Sequence, residues 1–182
     1  MAETSNGSAA TNPGETAAQS ENPQQFAIQK IYLKDCSVET PGAPEVFTQA
    51  WKPEARVELN TRRNTIGDDL HEIVLTVTVT ATLEERNAYL CEVHQAGIFT
   101  VSGFEDNARD QLLGAYCPGV LFAYAREAIS DLTGKAGFPP MTLSPVNFDA
   151  LYARQRQQEA AGAGAQDDTG GEAPAEASEP TD

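Results

Sequence analysis

From His71 to Leu83 the chain alternates, with Ile73, Leu75, Val77, Val79 and Ala81 on one side and Val74, Thr76, Thr78, Thr80 and Thr82 on the other. A period of two through β-branched residues predicts a strand with one aliphatic and one threonine face, which suits an antiparallel sheet covered on one side only. Arg56 to Thr61 alternates too, setting Val57 and Leu59 against Arg56, Glu58 and Asn60. Phe26 to Glu39 and Asn87 to Val101 read as two more extended stretches. Polar Glu84-Glu85-Arg86-Asn87 predicts a short turn, so the third and fourth strands form a hairpin. The first two strands are joined by Thr40 to Pro53, which is too long for a tight turn and carries Phe47 and Trp51 among four structure-breaking residues, Pro41, Gly42, Pro44 and Pro53. Large aromatics on such a loop point to a packed or binding role.

After Gly103 the period becomes helical. Ser102-x-x-Glu105 has the spacing of a capping box and predicts a short helix ending near Gly114. Pro118 suits the first turn of a second helix, with a stripe of Leu121, Tyr124, Ala125, Ala128, Ile129 and Leu132 before Gly134 stops it. Phe138-Pro139-Pro140 and Pro145 read as a rigid connector, and Asn147 is placed to cap a last helix from Phe148 to about Gln158. The fold class is therefore α+β: a four-stranded antiparallel sheet with one face covered by C-terminal helices. Val120 and Phe122 widen the Pro118 helix beyond what one sheet can cover, which predicts burial against another subunit.

Both ends differ from this middle. Residues 1–24 hold only Glu3, Glu15 and Glu21 as charges, and residues 159–182 hold seven acids and no base. Such polar, low-complexity tails cannot bury enough apolar surface to offset ordering entropy and are expected to be disordered, leaving 25–158 as one domain. The net charge of −15 falls to −5 in that middle, where seventeen acids face all twelve bases. An acidic chain is a poor fit to nucleic acid or anionic membranes and favours a basic protein partner. No apolar run is long enough to span a bilayer, and with three cysteines and no secretion signal the chain is expected in the reducing cytoplasm.

No catalytic set emerges. Cys91-x-x-His94 has tempting metal spacing, but on a strand the two side chains point to opposite faces. Gly67-Asp68-Asp69 and Glu84-Glu85 fall in solvated turns, and Gly114 to Gly119 lacks the Lys-Ser/Thr ending of a phosphate loop. Cys36, Cys91 and Cys117 read as small buried hydrophobes. Neither an enzyme nor a cofactor is expected.

Four stretches remain to be explained together. They are Phe26-x-Ile28-x-x-Ile31-Tyr32-x-Lys34-Asp35, Cys91-Glu92-Val93-x-Gln95-x-Gly97-Ile98-Phe99, Leu113 to Pro118 continuing through Tyr124-Ala125-Arg126-Glu127, and Pro145 to Tyr152. In order and spacing they resemble the SecB protein-export family from about Gln25 to Gln158. The resemblance implies an ATP-independent chaperone that holds unfolded precursor proteins and delivers them to the SecA motor. It also implies a homotetramer, a dimer of dimers with helices between two eight-stranded sheets, about 80 kDa in all from 19.5 kDa chains. The resemblance maps the SecA surface onto Asp35, Glu39, Leu90 and Glu92. For the client groove we select Phe47, Trp51, Val57, Leu59, Phe148, Leu151 and Tyr152, of which Val57, Leu59 and Leu151 suit an ordinary core equally well. Arg154 and Arg156 depart from the acidic surroundings, and the long N-terminal tail lies outside the family pattern. The competing class is a soluble adaptor that binds one folded partner without general chaperone activity.

Overall fold

A computed structural model describes residues 23–164. Four strands, β1 (Gln25–Glu39), β2 (Glu54–Thr65), β3 (Leu70–Leu83) and β4 (Arg86–Ser102), form one antiparallel sheet in the order β1-β4-β3-β2. The β3–β4 hairpin closes through Glu84 and Glu85, whose φ of 48° and 65° supply the left-handed turn that matches strand twist. Ile73, Leu75, Val77, Val79 and Ala81 are fully buried on one face, while Thr76, Thr78, Thr80 and Thr82 stay partly open on the other. The alternation read from the sequence is thus the alternation of the two sheet faces.

Register carries this division across the sheet. Val57 pairs with Val79 and Leu59 with Val77, and those two valines pair with Cys91 and Val93 of β4. Antiparallel partners project to the same side, so all six side chains lie on the helix face. Bulges in β1 between Ile28 and Lys30 and between Leu33 and Asp35 reset its parity. Ile31, Cys36 and Val38 consequently join the core, and Tyr32, Asp35 and Glu39 project to the open face.

The helices differ in several ways from the sequence pattern. Ser102 remains the last residue of β4, paired with Gln25, so the helix α1 (Asp106–Gln111) starts three residues later than a Ser102 cap requires. No side chain caps it. Nor does helix end at Gly114: residues Leu112–Tyr116 form a π turn that runs directly into α2 (Cys117–Lys135). Pro118 has no N–H for the Gly114 carbonyl, and Cys117 N–H bonds back to Leu112, which accommodates the mismatch within one helical rod. Gly114 has a packing role there, since a Cβ would come within 2.5 Å of the Tyr152 ring. The rod ends past Gly134, at Gly137, whose φ of 90° is the left-handed conformation that glycine accepts without cost.

Leu121, Ala125 and Ile129 of α2 press on the sheet, but Tyr124, expected in the same stripe, is 50% exposed. Phe122 is not left for another subunit either: Phe148 covers it edge-on, with ring centroids 5.5 Å apart. Asn147 caps α3 (Phe148–Gly164), its Oδ1 accepting from Ala150 N–H at 3.0 Å. This helix runs past Gln158 because Glu159-Ala160-Ala161 is good helix-forming sequence. Of the tails expected to be disordered, 1–24 and 159–182, residues 159–164 instead continue α3, and residues 1–22 and 165–182 lie outside those described.

Candidate functional site

The helix face of the sheet is only partly covered. Helix α2 lies over β3 and β4, which leaves the edge strand β2 with Val57 41% exposed and Leu59 partly so. At the hairpin end, the long β1–β2 loop folds a short 3-10 turn, Glu45–Thr48, that buries Val46 and leaves Phe47 50% exposed. Phe47 leans on Phe138 at 5.0 Å between centroids, and Trp51 packs on Phe138 at 5.1 Å and stacks on Tyr89 at 6.3 Å. Four aromatics from a loop, a strand and the segment after α2 therefore make one cluster. Offset and tilted arrangements of this kind are the favourable ones for aromatic pairs.

At the far end, Tyr152 of α3 sits over Gly114 and lines a hollow with Thr61, Arg63 and Arg156. Arg63 ties β2 to α1 through Asp110 at 2.7 Å. Between the two ends, Ala55, Val57, Leu59, Thr61 and Arg63 form a continuous strip on the helix side of β2. Eight residue steps of a strand cover about 27 Å. The strip is apolar at Val57 and Leu59 and polar at Thr61 and Arg63, and it runs along the edge strand β2.

Of the residues selected from sequence, Val57 and Leu59 lie on this strip, Phe47 and Trp51 lie in the aromatic cluster, Tyr152 lines the hollow with Thr61, and Leu151 is exposed on α3. Phe148 does not belong with them, because at 8% exposure it is buried against Phe122 and anchors α3 to α2. Tyr89 and Phe138 were missed. Their isolated positions, at a strand start and in a proline-rich connector, carry no periodic signal, and only the tertiary fold brings them to Trp51.

The other face is polar. Asp35, Glu39, Leu90 and Glu92 all project from it, with Glu39 in register with Leu90, Ser37 with Glu92 and Asp35 with His94. Glu92 accepts from Thr78 at 2.9 Å and lies 2.8 Å from His94 Nε2. Those bonds, the imidazole first, hold its carboxyl below the usual carboxylate range. Further along the face, Glu72 accepts from Tyr32, from Lys34 at 2.7 Å and from Asn64 at 2.8 Å. The sequence reading contained no sign of this network, since it joins β2 and β3 to β1 across the intervening β4.

Residues 18–159 match the family model described as preprotein translocase subunit SecB. The chain belongs to the SecB family. It is 52% identical over 166 residues to the protein-export protein SecB of Alkalilimnicola ehrlichii, covering 91% of this chain and 88% of that one. It is 55% identical over 152 residues to the SecB of Alcanivorax borkumensis, covering 82% and 97%. Among solved structures it resembles the SecB-like chaperone of Mycobacterium tuberculosis in complex with an antitoxin peptide, at a TM-score of 0.56 and 17% identity over 66% of this chain and 90% of that one. At that identity the likeness is one of fold.

Cys91 and Cys117 are buried in the core and Cys36 is partly buried against it. Burial pushes the Cys91 thiol up to about 11 and Cys117 up to about 12, so neither is a thiolate at neutral pH. Cys91 faces the helices and His94 the open side, as strand geometry requires. Among the described residues, no three His, Cys, Asp or Glu side chains converge as metal ligands, and no helix is long and apolar enough to cross a membrane.

Proposed function

We propose that this SecB chain holds unfolded precursor proteins in the groove along β2, without nucleotide, and presents them to SecA through the opposite face of the same sheet. The division of the sheet into two surfaces supports the reading best. Apolar Phe47 and Val57 are exposed, and Trp51 and Leu59 partly so, on the helix side, while Asp35, Glu39, Leu90 and Glu92 lie together on the other face. A holdase draws on exposed apolar area and binds the unfolded state by mass action, which needs no chemistry. Basic segments of a partner fit the acidic face by charge complementarity. The assembly in this reading is a cytoplasmic homotetramer, in which Tyr116 and Tyr124, half-exposed on the outer side of the helical rod, supply contact area.

The test is aggregation followed by light scattering. Suppression for several unrelated unfolded proteins, unaffected by ATP, is expected; suppression for one partner alone would indicate an adaptor instead. Trp51→Ala should weaken client binding by about 1–3 kcal/mol while the particle keeps its mass of about 80 kDa in native mass spectrometry. Loss of the folded state in that variant would assign Trp51 to the core.

Glu92→Lys should lower SecA affinity roughly tenfold, since it reverses a charge at the centre of the docking face. Wild-type affinity for SecA should also fall between about 50 and 500 mM salt as the Debye length shrinks several-fold. Client binding, which rests on apolar burial, should change little in either experiment. Calorimetry with both ligands decides the matter: equal losses would mean a damaged fold, and undiminished SecA binding would remove Glu92 from the site.

A further inference from the structure

His94 stands in the middle of the open face and is fixed at both ring nitrogens. Nε2 lies 2.8 Å from Glu92 Oε1, and Nδ1 lies 3.4 Å from Thr76 Oγ1. The other Glu92 oxygen accepts from Thr78 at 2.9 Å. The Glu92 carboxylate is thus clamped between β3 and the imidazole, with neither oxygen free to rotate without breaking a bond.

Charged groups surround this ring from β1, β2 and its own strand. Asp35 of β1 is its register partner, Glu92 comes from its own strand, and β2 contributes Glu58 and Arg62 to the same hollow of about 420 Å³. From β3 come the uncharged Thr76 and Thr78, while Glu72, lower on that strand, is already bonded to Tyr32, Lys34 and Asn64. Glu58 is itself paired with Arg56 at 2.9 Å. Carboxylates therefore outnumber cations around the imidazole.

We propose that His94 is a positioning residue of the docking surface: it orients the Glu92 carboxylate and, when protonated, cancels one of the negative charges that a basic partner segment needs. The proposal rests on the reading of Asp35, Glu39, Leu90 and Glu92 as the surface offered to SecA. With a neutral ring, Nε2–H donates to Glu92 and the Thr76 hydroxyl donates to Nδ1. Adding a proton at Nδ1 reverses only the Thr76 bond, since Nδ1–H then donates to the hydroxyl oxygen. The surface keeps its shape and loses one unit of negative charge. Glu92, held below the usual carboxylate range by its two bonds, remains the anion through this change. Acidification then closes Glu92 into an ion pair with its neighbour and lowers the pull on an incoming ammonium or guanidinium group. Clients in the groove lie on the opposite face and do not meet this charge.

The experiment compares SecA affinity of the full-length tetramer at about pH 8 and about pH 6, for the wild type, His94→Gln and Glu92→Lys, by calorimetry. SecA's own titration is common to all three. We expect wild-type affinity to fall roughly three- to tenfold more on acidification than that of His94→Gln. Parallel falls in the two proteins would overturn the role of His94. If Glu92→Lys bound SecA as tightly as the wild type at about pH 8, the docking reading itself would fail, an outcome distinct from the first. Should His94→Gln not assemble, as judged by its mass and thermal unfolding, His94→Asn undergoes the same comparison.

Discussion

Replacing Tyr89 by Ala is expected to cost about 3–5 kcal/mol of unfolding free energy and to weaken client binding at the same time. Tyr89 is 2% exposed, pairs with Ala81 on the helix face of the sheet, and packs against both Trp51 and Phe138. Its removal opens a cavity in the core and withdraws the surface on which the Trp51 indole rests, so the loop proposed to build one end of the client groove loses its support. Phe47→Ala provides the contrast. Phe47 touches the same cluster through Phe138 but is half-exposed, so its truncation should change stability by less than about 1 kcal/mol while still lowering client affinity. Urea unfolding at equal subunit concentration, read beside client binding, separates the two, because the midpoint of an oligomer depends on concentration. If both variants lost the same stability, the aromatic cluster would not be an extension of the core.

Glu72 should make the protein acid-sensitive by about 3 kcal/mol. Its carboxylate is buried on the open face, where donation from Lys34, Tyr32 and Asn64 holds it down to about 2 from an ordinary 4.5. A carboxylate whose value is depressed on folding contributes stability that is complete above its unfolded value, at about pH 5 and higher, and lost as pH falls toward the folded value. The loss should therefore run from about pH 5 down to about 2. In Glu72→Gln that component is absent, and its unfolding free energy should depend less on pH over this window by about the same amount. Chemical denaturation of both proteins at intervals from about pH 5 to 3 checks the prediction; coincident slopes would show that the Lys34–Tyr32–Asn64 cradle does not discriminate between the two protonation states. Tyr32 titrates in the opposite sense. The same bond to Glu72 pushes its hydroxyl up to about 12, so this contribution is lost only as the solution becomes strongly alkaline.

The regular part of this fold was legible because strands write their environment into the sequence at period two. Ile73 to Ala81 against Val74 to Thr82 specified a sheet with one covered face, and Glu84 to Asn87 specified the hairpin that joins its two central strands. Asn147 and Phe148 specified the start of the last helix, because a cap acts on neighbours two or three residues away. The shared face of the residues proposed for docking was also within reach: Asp35 and Glu39 share parity, as do Leu90 and Glu92, and a shared register places both pairs on one face. What the sequence could not convey was everything settled by contacts between distant segments. Ser102 had the spacing of a helix cap, but pairing with Gln25 kept it in the sheet. Gly114 had the composition of a stop, yet the Tyr152 ring and the missing Pro118 N–H made it part of a π turn. Phe122 and Phe148 looked like separate surfaces and cover each other. Tyr89, Phe138 and the Glu72 cradle had no local pattern at all. Local sequence determines which way a backbone runs and which side chains share a face; which face is then buried, and which aromatic meets which, depends on loop closure and packing that no window of a few residues contains.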